Sequence, residues 1–187
     1  MTIEPVYVGG LPSAEAAAIR RAADRGVWER LHPGAYVLRS EWGSASAAQR
    51  HRVLVTSYLR AHPAAVVVSD RSAVAMHRLP WIGEFGSRVV VTDPDRDRGQ
   101  VKPTVRRRGS AGRVPASIVV DDVLVGTLAE TAVDVALHEH PWRAIVVLDA
   151  VLRRGISKDD VRAALDERGT RGRARAVVLI EVADGGS

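Results

Sequence analysis

Residues 11–38 read LPSAEAAAIRRAADRGVWERLHPGAYVL, and this stretch decides the fold of the N-terminal part. Pro12 and Ser13 open a helix, with a small side-chain oxygen able to take free backbone N–H groups and Glu15 in the electropositive first turn. Gly26 ends it. Ala16, Ile19, Ala23 and Val27 recur at helical spacing on one side, while Arg20, Arg21, Asp24 and Arg25 occupy the other. The spacing therefore predicts a small-residue docking face backed by a basic face. Beyond Gly26, Trp28 with Leu31 and Tyr36 with Leu38 supply the apolar positions of two short strands, turned by His32, Pro33 and Gly34. Arg30 and Arg39 then point to water. The prediction is a helix followed by a two-stranded wing.

Composition bounds what surrounds this unit. A chain of 187 residues holds one ordinary domain, or a small unit plus a larger domain, and with 46% hydrophobic residues it can bury a core. It has no Cys, which excludes disulfides, cysteine nucleophiles and thiolate metal sites and makes the reducing cytoplasm the expected location. No apolar run reaches the ~20 residues needed to span a bilayer, and MTIEPVYVGG lacks the basic-then-apolar layout of a secretory leader, so no membrane partner is expected. The formal net charge of +5 favours polyanions such as nucleic acid. All but two of the 27 basic residues are Arg, the exceptions being Lys102 and Lys158, so arginine richness also reflects a GC-rich coding bias. Distribution is more informative than number. Residues 1–60 carry 8 basic and 5 acidic groups, 61–125 carry 10 and 7, and 126–187 carry 9 and 10.

Before the central stretch, Pro5–Val8 reads as a strand, followed by a flexible joint at Gly9-Gly10 and no helix. After it, Glu41–Ala45 reads as a loop, and Ala47, His51, Leu54, Tyr58 and Ala61 mark the inner face of a helix from Ser46 to Arg60, closed by His62-Pro63. Ala65–Val68 is a buried strand, and Ser69 or Asp70 caps a helix through Arg78, where His77 sits at the end favoured by the helix dipole. Arg88–Thr92, Val105–Arg108, Ser117–Val120 and Val123–Val125 read as strands. Asp93, Asp95 and Asp97 are spaced like a calcium loop, but Arg98 stands where glycine is needed and Thr104 where a bidentate Glu is needed. Arg106, Arg107 and Arg108 lie in a row on one strand, either as a polyanion contact or as charges protecting an edge strand.

The C-terminal third reads as helices. Thr127 and Glu130 form a capping box, Pro141 starts the next helix, Ser157 and Asp160 form a second box, and a last apolar helix presents Val178, Leu179 and Val182 inward before a frayed tail at 184–187. Asp134 and Asp149 sit among apolar neighbours. Acid–base work by such a pair is one reading, and structural pairing to Arg is the favoured one. His138 and His140 lack further ligands for a metal site. There is no nucleophile elbow, P-loop, dinucleotide fingerprint or zinc motif, so no cofactor is implied and the chain reads as a non-enzyme.

The helix and wing, followed by AAVVVSDRSAVAMHRLP (64–80) and by GTLAETAVDVA (126–136), resemble the AbiEi-type antitoxins of bacterial abortive-infection and toxin–antitoxin systems along nearly the whole chain. The resemblance implies an α+β protein with a winged helix-turn-helix unit, shortened here and placed at 1–42, and an antitoxin-like domain at 43–187 ending in helices. It implies a cytoplasmic, DNA-binding transcriptional regulator acting on its own promoter region. It also implies a partner, a nucleotidyltransferase-like toxin that the protein counteracts without catalysis of its own. Arg20, Arg21 and Arg25 would contact DNA from the helix, and Arg30, His32 and Arg39 from the wing, with Arg106, Arg107 and Arg108 as a further polyanion contact. Two departures qualify the match. The supporting helix that precedes a recognition helix is missing, which leaves open a protein–protein module that has lost DNA binding. Glu130 replaces a common arginine, and the nuclease-like domain that continues some relatives has no counterpart here.

Overall fold

The computed structural model describes residues 3–185, an α+β chain that divides into two compact units at 64/65. In unit 1, β1 (Val6–Tyr7) and a 3-10 turn at Val8–Gly10 lead into α1 (Ser13–Asp24). The ribbon β2 (Trp28–His32) and β3 (Ala35–Leu38) follows, then α2 (Arg39–Ser44) and α3 (Ala47–Ala61). The sheet is antiparallel with order β1-β3-β2, so the strand before the helix pairs with the far strand of the ribbon, Val6 opposite Tyr36 and Tyr7 opposite Ala35. Strand alternation explains the packing: Tyr36 faces α1, where it meets Val8, Ala16, Leu11, Ile19, Ala23 and Trp28, and Val37 faces the other side with Ile3, Ala45, Leu31, Trp42 and Val53.

That second face moves the boundary from 42/43 to 64/65. The segment at Glu41–Ala45 is not a loop: its first four residues belong to α2 and Ala45 caps it, and Trp42 and Ala45 pack onto the ribbon together with Val53 of α3. Neither Gly9 nor Gly10 is a free joint, since both lie in the helical turn closed by the Leu11 N–H donating to the Val8 carbonyl at 3.3 Å. Ser13 is the first helical residue rather than the cap, and the cap position, Pro12, makes no side-chain bond. The last member of the expected α1 stripe, Val27, lies beyond the helix end and is 51% exposed. In α3 the Ser46–Gln49 capping box is complete, and Val55 is buried where Leu54 was expected.

Unit 2 contains β4 (Val67–Val68), α4 (Asp70–Met76), β5 (Val89–Asp93), β6 (Gln100–Val101), β7 (Val105–Gly109), β8 (Ser117–Val120) and β9 (Val123–Gly126). Four helices follow: α5 (Leu128–His138), α6 (Pro141–Arg153), α7 (Lys158–Asp166) and α8 (Arg173–Val182). The sheet has order β6-β7-β5-β4-β9-β8, with β5/β7 and β4/β9 parallel and the other pairs antiparallel. Its central strands are runs of valine, Val66–Val68 and Val89–Val91, buried on both faces, since successive strand residues point to opposite sides and all are buried. Helix α5 is the axis of the unit and packs against α4, α6, α7 and α8. Its Thr131–Ala136 turn is entirely buried.

Helix α8 is rotated from its expected phase. Ala176, Leu179, Ile180 and the capping Ala183 are buried, and Val178 and Val182 are exposed. Of the tail at 184–187, the Asp184 N–H donates to Asp149 Oδ1 at 3.1 Å, and residues 186–187 lie outside the described residues. Among the described residues no helix is long and apolar enough to cross a membrane.

Candidate nucleic-acid interface

Helix α1 presents its arginines as the 3.6-residue period dictates. The apolar stripe sinks into the ribbon, and Arg20, Arg21 and Arg25 are exposed, as is Arg30 on β2. None of these four has a carboxylate within salt-bridge distance among the described residues. Arg20 meets the ribbon across an open depression of about 450 Å³, shared with Trp28, Glu29, Arg30, Tyr36 and Arg39. Arg39, at the start of α2 rather than on the wing, is held by Glu29 at 3.0 Å, and its guanidinium covers Gly26, whose φ of +78° ends α1. Arg21 and Arg25 stand at the C-terminal end of α1, where positive charge also stabilises the helix dipole.

His32 departs from its assigned place. It is 4% exposed, its Nδ1 lies 3.2 Å from the Pro33 carbonyl, and its ring meets the edge of His62, which stacks on Tyr58. A bulge between Arg30 and His32 turns this last strand position inward, so the imidazole belongs to the core of the unit and cannot reach DNA. The cause is local, and spacing alone did not reveal it.

The three arginines of β7 have separate fates. This strand lies between β6 and β5, which removes the edge-strand explanation for its charges. Arg106 is exposed, Arg107 donates to Asp93 Oδ2 at 2.9 Å, and Arg108 pairs with Asp70. Asp70 is 1% exposed with a left-handed backbone, φ +54°, and its Oδ1 accepts from the Arg71 N–H at 2.7 Å. A non-glycine residue holds that strained conformation only where its surroundings fix it. Here the Asp70 N–H donates to Asp134 Oδ2 at 3.2 Å, tying α4 to α5.

Asp134 in turn lies 3.0 Å from Arg168, which also pairs with Glu130, and Arg113 grips both Glu130 oxygens at 2.9 and 2.7 Å. Glu130 thus completes only half of the expected capping box. Thr127 accepts from the Glu130 N–H at 3.3 Å, while the carboxylate turns inward to two arginines. Asp149 is not joined to Asp134; it accepts the Asp184 N–H instead. The pairing of Asp70 with Arg108, and of Arg113 and Arg168 with Glu130, carries no signal in the sequence, because these partners lie far apart along the chain.

Two histidines border this network. His77 donates from Nε2 to the Gly126 carbonyl at 2.6 Å, and burial, aided by the Arg154 charge, holds its pKa below the ordinary value. His138 donates from Nδ1 to the Asp134 carbonyl at 2.8 Å, and burial together with the nearby Arg108 lowers its pKa despite Asp134 and Asp70. Both shifts favour the neutral imidazole.

Over 98% of its length the chain superposes on the crystal structure of the RV2827C protein from Mycobacterium tuberculosis, covering 72% of that chain with a TM-score of 0.57 and 16% sequence identity. That likeness shows a shared fold. No protein-family model and no curated protein matches the sequence. The arrangement can offer cationic groups to an anion on α1 and the ribbon. In unit 2 the buried carboxylates Asp70, Asp93, Glu130 and Asp134 are each paired with arginine.

Proposed function

We propose that the chain is a DNA-binding regulator of the antitoxin type, which counteracts a nucleotidyltransferase-like toxin and performs no catalysis itself. The observation that carries the DNA-binding part is the set of exposed arginines Arg20, Arg21, Arg25 and Arg30, free of carboxylate partners among the described residues, on a helix and the ribbon behind it. The toxin partner rests on the resemblance described above. Arg20 and Arg21 stand in the C-terminal half of α1 and Arg25 follows its end, whereas the N-terminal half of a recognition helix supplies base-edge contacts. They therefore suit phosphate oxygens, which position a protein on DNA without specifying sequence.

Four phosphate contacts predict a slope of about −3.6 for log affinity against log salt, and hence roughly a 150-fold loss of affinity between about 50 and 200 mM salt. Replacing Arg20, Arg21 and Arg25 by Gln leaves one contact and a slope near −0.9. Fluorescence anisotropy on a duplex from the protein's own promoter region measures both. An unchanged slope in the triple variant refutes the interface. A second reading, an interaction module without DNA binding, is favoured by the place before α1, where a 3-10 turn at Val8–Gly10 stands and a supporting helix is needed. Toxin neutralisation that survives in a wild-type protein unable to bind DNA decides for it.

A further inference from the structure

Unit 2 contains a cleft of about 490 Å³ between the β6–β7 end of the sheet and the C-terminal ends of α5 and α7. Arg106, Arg107, Arg108, Arg168 and Arg171 line it together with His138, and no Asp or Glu does. The carboxylates lie beneath. Asp93 takes Arg107, Asp70 takes Arg108, and Glu130 with Asp134 takes Arg168, so these three guanidiniums are fixed in place. Arg106 and Arg171 are exposed and have no carboxylate within salt-bridge distance among the described residues. They leave positive charge uncompensated at the mouth.

Helix C-termini ordinarily repel anions, and two of them end here. Both are covered: Arg175 donates to the Ala136 and Leu137 carbonyls at 3.0 and 2.7 Å, and Arg173 donates to the Leu165 carbonyl at 2.8 Å. The sign of the cleft is thus set by its arginines. Gln100 and Ser110 add neutral hydrogen-bonding groups to the wall.

We propose that this cleft binds the phosphate chain of a small polyphosphate ligand, of the nucleoside di- or triphosphate class. Guanidinium groups match phosphate oxygens in pairs, and partners that already orient Arg108 and Arg168 reduce the ordering that binding requires. The volume falls within the range of small-molecule sites. The site is separate from α1 and the ribbon, so it stands or falls independently of DNA binding there.

Calorimetric titration of the full chain with inorganic tripolyphosphate, ATP and GTP tests the proposal. Saturable one-to-one binding is expected. The double variant Arg106→Ala, Arg171→Ala should weaken it at least about tenfold, the loss of one or more charge-assisted bonds. Its melting temperature should stay near that of the wild type, because neither side chain has an ion-pair partner to lose. Arg153→Ala, on the exposed end of α6 and outside the cleft, removes the same kind of charge and should leave binding intact. Tighter binding of ATP or GTP than of tripolyphosphate assigns the source as a nucleotide, and equal binding assigns it as the bare phosphate chain; either supports the site. Absence of saturation, equal loss in Arg153→Ala, or a double variant that loses duplex DNA affinity while retaining polyphosphate affinity overturns it. Loss of DNA binding in the α1 variants with polyphosphate binding unchanged would leave this proposal standing.

Discussion

Replacing Glu130 by alanine removes the carboxylate on which two arginines converge, and the structure sets the scale of the effect. The Glu130 side chain is 3% exposed, against 19% for Arg113 and 13% for Arg168. Truncating one partner of a buried pair costs about 3–5 kcal/mol, because the remaining charge stays buried without compensation. Two features favour the lower end. Arg168 keeps Asp134 at 3.0 Å, and Arg113 retains a distant contact at 3.8 Å with the exposed Glu167. A loss of about 3 kcal/mol is therefore expected, and at roughly 4 °C per kcal/mol for a unit of this size the melting temperature falls by about 12 °C. Glu130→Gln keeps an acceptor for Arg113 and should cost about half as much. Urea unfolding followed by circular dichroism measures the loss, and hydrogen exchange of the α5 amides localises it. A loss below about 1 kcal/mol, the size found for exposed pairs, would refute the claim that Glu130 anchors the network. So would an Arg113→Ala, Glu130→Ala double variant whose cost equals the sum of the singles, since contacting partners must couple.

Gly109→Ala should destabilise unit 2 by about 1–3 kcal/mol and loosen the 93–99 loop, because a Cβ there would lie 2.6 Å from the Arg96 carbonyl oxygen and 2.7 Å from the Arg98 nitrogen; limited proteolysis within that loop is the readout. The histidines make stability depend on pH. His77 and His138 have pKa values below the ordinary one when folded, so the unfolded chain binds more protons as pH falls through about 6.5 and stability is lost on the acid side. The melting temperature should drop between about pH 7.5 and 5.5, and His77→Gln, which keeps a donor for Gly126, should flatten the curve. Glu139 has the opposite sign: burial and then Asp70 raise its pKa against Arg71 and Arg143, so it opposes the trend at the acid end. A melting temperature that does not fall over that interval counts against both histidine assignments.

The features legible in the sequence are those whose cause is local. The Ala-rich helix before Gly26, the Pro33-Gly34 turn, Pro141 at the first position of α6 and the Ser157–Asp160 capping box each need only a few neighbouring residues. Short elements with little periodicity were not legible: α2 has six residues and β6 has two. The network of unit 2 was hidden for a different reason. Arg108 reaches Asp70 across 38 residues and the Asp70 backbone reaches Asp134 across 64, so no spacing rule connects them. Only the isolation of Asp134 among apolar residues hinted that a carboxylate needed a cation. Its pairing with arginine, rather than with Asp149 for acid–base work, is what the structure displays.

The same residue type serves opposite ends in the two units, and burial of carboxylates decides which. Residues 1–64 carry eight basic against five acidic side chains, and no carboxylate among those described is buried. No interior charge needs neutralising there, so the arginines of α1 remain at the surface. Residues 65–187 carry nineteen against seventeen, and four of the carboxylates, Asp70, Asp93, Glu130 and Asp134, are buried. A buried carboxylate is tolerable only with a cation and hydrogen bonds, and this requirement draws Arg107, Arg108, Arg113 and Arg168 out of the pool that could meet an external anion. Of the cations outside those pairs, Arg106 and Arg171 stand together at one cleft. Among the described residues the core of unit 2 thus withdraws four arginines from its surface, and that of unit 1 withdraws none. Such unpaired arginines gather beside a depression at α1 with the ribbon and at the mouth of the cleft, which is why the two proposals fall there.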